Sequence, residues 1–344
     1  MGYSMEIQRI YPRMAIEGGE ITIFADDWPV DRFLDLSIWF GEARALIRML
    51  RRHACRVRIP ANARSPIQIR LGDDVLAEYP IVLGERILSD IHAVNNPAVD
   101  RLGYVYTTVS GTRDEVPEVS VYRIAPDGTA ESYITAVRNA TSLALDANDT
   151  LYISSRFEGC VYRVIGPDQL EVYAEDLGTP FGLTFNPQGH LFVGNREGKV
   201  YKISPEREVS IFAELPESPI AYHLALDPDG NLFVAVPHLT WDTIYMIDTL
   251  GNVIPFYSGF GRPHGIAFDQ HGNLYVSQGR YQNSGIYRFD TQGHIEHIVA
   301  GPPTVGLAFQ GEEYLWINTP NALYRMPLPA DFFRLNRKSD DPAD

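Results

Sequence analysis

Six copies of one short phrase, spaced about forty residues apart, limit this chain to a repeat architecture built from β-hairpins. They are Asp100–Val105 (DRLGYV), Asp146–Leu151 (DANDTL), Asn186–Leu191 (NPQGHL), Asp227–Leu232 (DPDGNL), Asp269–Leu274 (DQHGNL) and the degenerate Gln310–Leu315 (QGEEYL). In a copy such as Asp269–Leu274, an apolar run ends in an Asp turn, a glycine can take positive φ, and a second alternating run returns. These are the first two strands of a unit. A third strand carries a tyrosine every time, at Tyr122, Tyr162, Tyr201, Tyr245, Tyr287 and Tyr324. Such bulk suits the space between stacked sheets. A fourth strand follows around Tyr133, Tyr173, Phe212, Phe256 and Ile298, which leaves the last unit without one. Ile87 lies thirteen residues before Asp100, the distance that separates Tyr133 from Asp146 and Tyr173 from Asn186. Residues 86–94 are therefore expected to supply the missing strand beside Tyr324 and close the ring, removing the edges an open array would expose.

The region before the repeat has a different pattern. Short runs at 7–10, 21–24, 36–39, 45–50, 56–59, 67–71 and 79–83 alternate and are separated by turn residues, which predicts an antiparallel sandwich. The fold class expected is all-β, a small immunoglobulin-like sandwich over 1–84 and a six-bladed β-propeller over 85–329, followed by a polar tail over 330–344. The phrases Ile10-Tyr11-Pro12, Glu17-Gly18-Gly19, Trp39 to Ala43 and Val57 to Ala61 resemble the TIG/IPT group of immunoglobulin-like domains. That resemblance implies a spacer or a module for contacting a protein partner.

Charge divides unevenly between the two regions. Eleven basic and eleven acidic residues lie at or before Gly84, so 18 of the chain's 29 basic and 33 of its 44 acidic residues remain for the propeller. An acidic body repels phosphate backbones, so a general nucleic-acid partner is not expected. No stretch approaches the roughly 20 apolar residues of a membrane helix, and the opening MGYSMEIQRIYP lacks a secretory pattern. No membrane partner is expected, and a cytoplasmic location is the default. Cys55 and Cys160 fall in different predicted domains and are expected as packed thiols.

The segment Arg262–Ser277 (RPHGIAFDQHGNLYVS) resembles an NHL-type repeat and equally the SMP-30/gluconolactonase group, a likeness running from residue 86 to 329. In the lactonases this resemblance implies a divalent metal at the centre of one face, held by side chains just before the glycine of each first strand. The matching positions here are Asn95, Thr141, Phe181, Tyr222, His264 and Val305, with no carboxylate among them. Hard cations need oxygen ligands rich in carboxylate, so the lactonase metal site is not expected.

The loops after the second strands converge on that same face and are unusually basic. Arg156, Arg196, His238 and Arg280 occupy nearly corresponding positions in four consecutive units. Arginine pairs carboxylate or phosphate through two parallel hydrogen bonds, and a recessed mouth is less screened than open surface. The plainer alternative is a rim of ion pairs with Glu158, Glu197 or Asp242. Tyr222, His223 and His264 add hydrogen-bonding groups from strand starts, and the long loops 110–117, 237–242 and 280–285 rise around the mouth, where Trp241 could cap a ligand.

Three functions follow from these residues. The leading one is recognition of a small anionic molecule or acidic peptide by Arg156, Arg196, Arg280, His238, Asn95 and Trp241. A hydrolase or lyase would instead use His264, His223 and Tyr222, either as a general base with an arginine donor or through a metal held by His223, His238 and His264. A third is a scaffold contacting only proteins. The recurrent Asp100, Asp146, Asp227 and Asp269 are expected to be turn residues at the far end, not a carboxylate array.

Overall fold

The computed structural model describes residues 5–111, 117–217, 222–237, 242–279 and 283–334. The chain is all-β, and its strands form predominantly four-stranded sheets. No helix among the described residues is long and apolar enough to cross a membrane.

Two of the sheets make the front domain. One orders Ile7–Tyr11, Glu20–Ala25, Ala54–Arg58 and Leu46–Arg51, and the other Ala43–Arg44, Leu36–Phe40, Ile67–Leu71 and Asp74–Tyr79. Alternation along each strand sends Ile21, Ile23, Cys55 and Val57 from one sheet, and Ile38, Phe40, Ile67 and Ile69 from the other, into one core with no solvent exposure. Asp74–Tyr79 does not coincide with the strand expected at 79–83. Half of its side chains are exposed and none is fully buried, so it lacks the apolar alternation on which the expectation rested.

The repeat builds a propeller. Its units give successive antiparallel sheets, and their first strands contact one another in an unbroken cycle: Ala98–Val99, Ala140–Leu145, Pro180–Phe185, His223–Leu226, Pro263–Phe268, Gly306–Gln310, and back to Ala98–Val99. The last sheet takes its outer strand from Glu85–Ser89, which pairs antiparallel with Ala322–Pro327 and sets Arg86 opposite Tyr324. That strand ends at Ser89, short of residue 94, because the chain turns at Asp90 (φ 60°) and heads for the axis of the ring.

The front domain is joined to the propeller through a shared sheet. Met14–Ala15 pairs in parallel with Ile295–Ala300, Val82–Leu83 pairs with Met14–Ala15, and the sheet so formed has six strands. Gly19 packs so close to this edge that a β-carbon there would fall 2.5 Å from the carbonyl carbon of Ala300. Only glycine allows that approach.

The turn phrases are hydrogen-bonded as the sequence suggests. Gly103, Gly189, Gly230 and Gly272 take positive φ, as does Asp149 in the second copy. In the degenerate sixth copy the positive φ moves to Gly311. Asp100, Asp146 and Asp269 each accept two backbone N–H groups of their own turn on one carboxylate oxygen, and Asp227 accepts that of Asn231. These acids are structural. Cys55 and Cys160 are both buried free thiols, and burial pushes Cys55 up to about 12.

Candidate functional site

First and second strands are antiparallel neighbours, so the start of one and the end of the other share a face. Ala140 sits opposite Ser155, Pro180 opposite Asn195, Pro263 opposite Gln278 and Gly306 opposite Asn318. Residues at these strand ends therefore share one mouth of the central channel.

The chain that turns at Asp90 delivers two asparagines to the channel. Asn96 donates from Nδ2 to Ile266 O (2.8 Å) and accepts Leu307 N–H on Oδ1 (3.1 Å). The carbonyl of Asn95 accepts Asn318 Nδ2 (2.9 Å), and Gly306 lies so near that a β-carbon on it would be 2.2 Å from this oxygen. Asn95 Oδ1 accepts the N–H of Asn96 (2.7 Å), which fixes the orientation of the amide. The same oxygen lies 2.9 Å from His223 Nδ1, so that nitrogen carries the proton and Nε2 presents its lone pair.

His223 is fully buried, and His264 is 7% exposed with its ring centroid 5.3 Å away and edge-on. His223 Nε2, His264 Nδ1, Asn95 Nδ2 and Ser110 Oγ are all buried and have no hydrogen-bond partner among the described residues. Burial, then the charge of Arg262, pulls His264 down to about 3. Burial and the neighbouring His264 push His223 well below its ordinary value. Both imidazoles are neutral near pH 7, when a cation would be costly to bury. The channel floor thus offers both hydrogen-bond donors and acceptors but no charge.

Charge enters at the rim. Arg156 is half-buried and donates to two neutral oxygens, Gly111 O and Asn139 Oδ1, both at 3.3 Å. Burial and the charge of Arg196 hold its pKa below that of an ordinary arginine. Arg196 is exposed and lies over the Phe181 ring, 5.9 Å from its centre. The carboxylates considered as rim partners are engaged elsewhere: Glu158 by Ser155 Oγ and the Tyr162 hydroxyl, Glu197 by Thr179, and Asp242 by the N–H groups of Gly259 and Gly261.

Tyr222 is set apart from this site. Its ring belongs to a core cluster with Leu224 and Val234, and its hydroxyl donates to Pro216 O. Arg280, His238 and Trp241 lie outside the described residues. Sequence reasoning overlooked Asn318, Thr107, Ser110 and Asn139, all buried at the mouth. A signal was present, because second strands that are otherwise apolar end in polar pairs such as Ser154-Ser155 and Asn318-Thr319.

The donor set does not fit the hard-cation site of the lactonases. The ring of Asn95, Thr141, Phe181, Tyr222, His264 and Val305 carries no carboxylate, and no group of three His, Cys, Asp or Glu that could hold a metal occurs among the described residues. A His223–His264 metal site would need His238 as well.

No protein-family model matches the sequence, and no curated protein sequence matches it either. Solved structures do. A gluconolactonase from Xanthomonas campestris superposes with a TM-score of 0.58 at 18% identity, covering 71% of this chain and 89% of its own. A catalytically inactive histidine-to-alanine variant of virginiamycin B lyase from Staphylococcus aureus, with quinupristin, gives 0.51 at 15%, covering 88% and 98%. An auxiliary nutrient binding protein from Bacteroides ovatus gives 0.56 at 8%, covering 95% and 98%. The shared property is the fold. This chain is a β-propeller protein of the architecture used by gluconolactonases, streptogramin B lyases and nutrient-binding proteins alike.

Proposed function

We propose that the chain is a ligand-recognition propeller of six blades, residues 85–329, carried behind an immunoglobulin-like sandwich, residues 1–84, with 330–344 as a tail. Its ligand is a small anion taken at the channel mouth. The observation that carries this reading is the state of Arg156. It is half-buried, faces a second arginine, and is bonded to neutral oxygens, while Glu158, Glu197 and Asp242 are engaged by other donors. A guanidinium in that setting gains most from an incoming carboxylate or phosphate. The neutral floor of Asn95, His223 and His264 would then orient the uncharged part of the ligand through hydrogen bonds. Arg280 and His238 extend the same basic rim in sequence.

Calorimetric titration with phosphate, gluconate, citrate and a glutamate-rich peptide tests this. Binding of at least one of them should weaken about tenfold on Arg156→Ala, the value of a charge-assisted hydrogen bond. Unchanged affinity in the Arg156→Ala and Arg196→Ala proteins would overturn the reading.

A lyase or hydrolase is the second reading, favoured by the buried neutral imidazoles whose ring nitrogens lack a partner among the described residues. The S. aureus lyase loses activity when one histidine becomes alanine. Here His223 Nε2, deprotonated and held in place through Nδ1 by Asn95, would be the base. Turnover of lactones or cyclic depsipeptides that vanishes in His223→Ala would establish it over simple binding.

A further inference from the structure

The sandwich contains a basic wall that the mouth does not use. Its sheet of Ile7–Tyr11, Glu20–Ala25, Leu46–Arg51 and Ala54–Arg58 carries five arginines and a single glutamate: Arg9, Arg48, Arg51, Arg56, Arg58 and Glu20. The domain's other acids lie in turns, at its ends or in the opposite sheet, as at Asp26, Asp35, Glu42, Asp74 and Glu78. Cys55 and Val57 point into the core, so Arg56 and Arg58 must point outward together. They face a cleft of about 580 Å³ whose far wall is the propeller segment Asn283, Ser284, Gly301, Pro302 and Pro303. Glu20 is the carboxylate lining this cleft, and Arg48 holds it at 3.2 Å. Arg58 stands opposite Glu20 on the neighbouring strand, but Glu20 is held by Arg48, and neither Arg56 nor Arg58 makes an ion pair within 4.0 Å among the described residues.

The cleft walls are also tied by hydrogen bonds. Ile16 N–H bonds Ala300 O (2.9 Å), Gly301 N–H bonds Ser284 O (3.1 Å), and Thr304 Oγ1 bonds Gly285 O (2.9 Å), which anchors the proline loop from both sides. Its two walls are therefore set before any ligand arrives, and ordering them costs little on binding. A volume in this range suits a small molecule rather than a folded partner.

We propose that this interdomain cleft is a second binding site, for a small molecule bearing two or more carboxylate or phosphate groups. Arginines two apart on a strand put their Cα atoms about 7 Å from each other, a spacing that matches two separate anionic groups better than one. Every basic residue up to Gly84 is arginine, the side chain that grips such groups by paired hydrogen bonds.

The test is calorimetric titration of the full chain at low salt with citrate, for carboxylates, and fructose 1,6-bisphosphate, for phosphates. Binding of either that persists in Arg156→Ala supports the site and identifies its chemistry, because the mouth is then disabled. The double variant Arg56→Ala/Arg58→Ala should weaken that binding about tenfold or more. Asn283→Asp, which adds a negative charge to the opposite wall, should weaken it about threefold. Loss of affinity in Arg156→Ala with none in the double variant, or no binding of either probe, would overturn the proposal.

Discussion

The two ends of the propeller are built from the same strands and solve opposite problems. At the turn end the repeated Asp or Asn saturates its neighbourhood. Asp269 alone accepts His271 N, Asn273 N, Asn273 Nδ2 and the Tyr275 hydroxyl. At the mouth, Asn95, His223, His264 and Ser110 each keep a buried polar atom without a partner among the described residues. Unpartnered atoms also occur at the turn end, on His190 and Asn273, but these belong to different sheets, whereas Asn95, His223 and His264 form one connected group. Buried polar groups are normally satisfied, since each unmet one costs about 1–3 kcal/mol. The contrast sets the saturated turn acids at one end of the repeat against a connected group of unpartnered polar atoms at the other.

The largest break of that division comes from Asp269→Ala. Removing a 6% exposed carboxylate orphans several buried donors at once, and the expected loss is about 2–4 kcal/mol in urea unfolding. Anion affinity at the mouth should be unchanged, because no mouth residue bonds Asp269. Reduced affinity in a folded Asp269→Ala protein would show that the ends are coupled.

Acid should break the mouth first. His223 and His264 are held neutral in the native state, His264 down to about 3, whereas in the unfolded chain each titrates near 6.5. Below that value the unfolded chain binds protons that the native chain refuses. The stability His264 contributes is therefore complete above about pH 6.5 and falls as pH drops toward 3, by about 2 kcal/mol at pH 5, and His223 acts in the same direction. His297, lowered to about 4 by burial where it stacks on Tyr287, adds to the slope from outside the mouth. Unfolding measured from pH 7 to 5 should steepen this way, and His264→Gln should remove about one proton from the slope. A slope unchanged by that substitution would mean that His264 is not held neutral.

The difference between the ends also decides what the sequence could reveal. Turn chemistry is local, so six short phrases and a tyrosine in each third strand sufficed to predict sheets, order and the closing partner of Tyr324. The mouth is assembled from residues far apart in the chain. Asn95 meets His223 across 128 positions and Asn318 across 223, and no spacing rule connects them. The neighbouring placement of Arg156 and Arg196 follows from the repeat, but the engagement of Glu158 with Ser155 and Tyr162 depends on side-chain directions that a sequence does not state. Likewise, Met14–Ala15 is too short to register as a strand, so the shared sheet that fixes the sandwich to the propeller was not foreseen.

The smallest effect is expected where the turn end carries an ion pair. Arg101 Nε lies 2.8 Å from Asp149 Oδ2 and links two neighbouring turns, with Arg101 70% exposed. Water competes for both groups, and holding a long side chain in one rotamer offsets most of the attraction. Arg101→Ala should therefore cost no more than about 0.5 kcal/mol in the same urea assay that detects Asp269→Ala. That ratio sharpens the comparison, since both residues sit in turns, Arg101 exposed and donating to one carboxylate, Asp269 buried and accepting from several donors. A loss near 2 kcal/mol would instead mean that ion pairs between sheets, rather than the saturated carboxylates inside each turn, hold this end of the ring together.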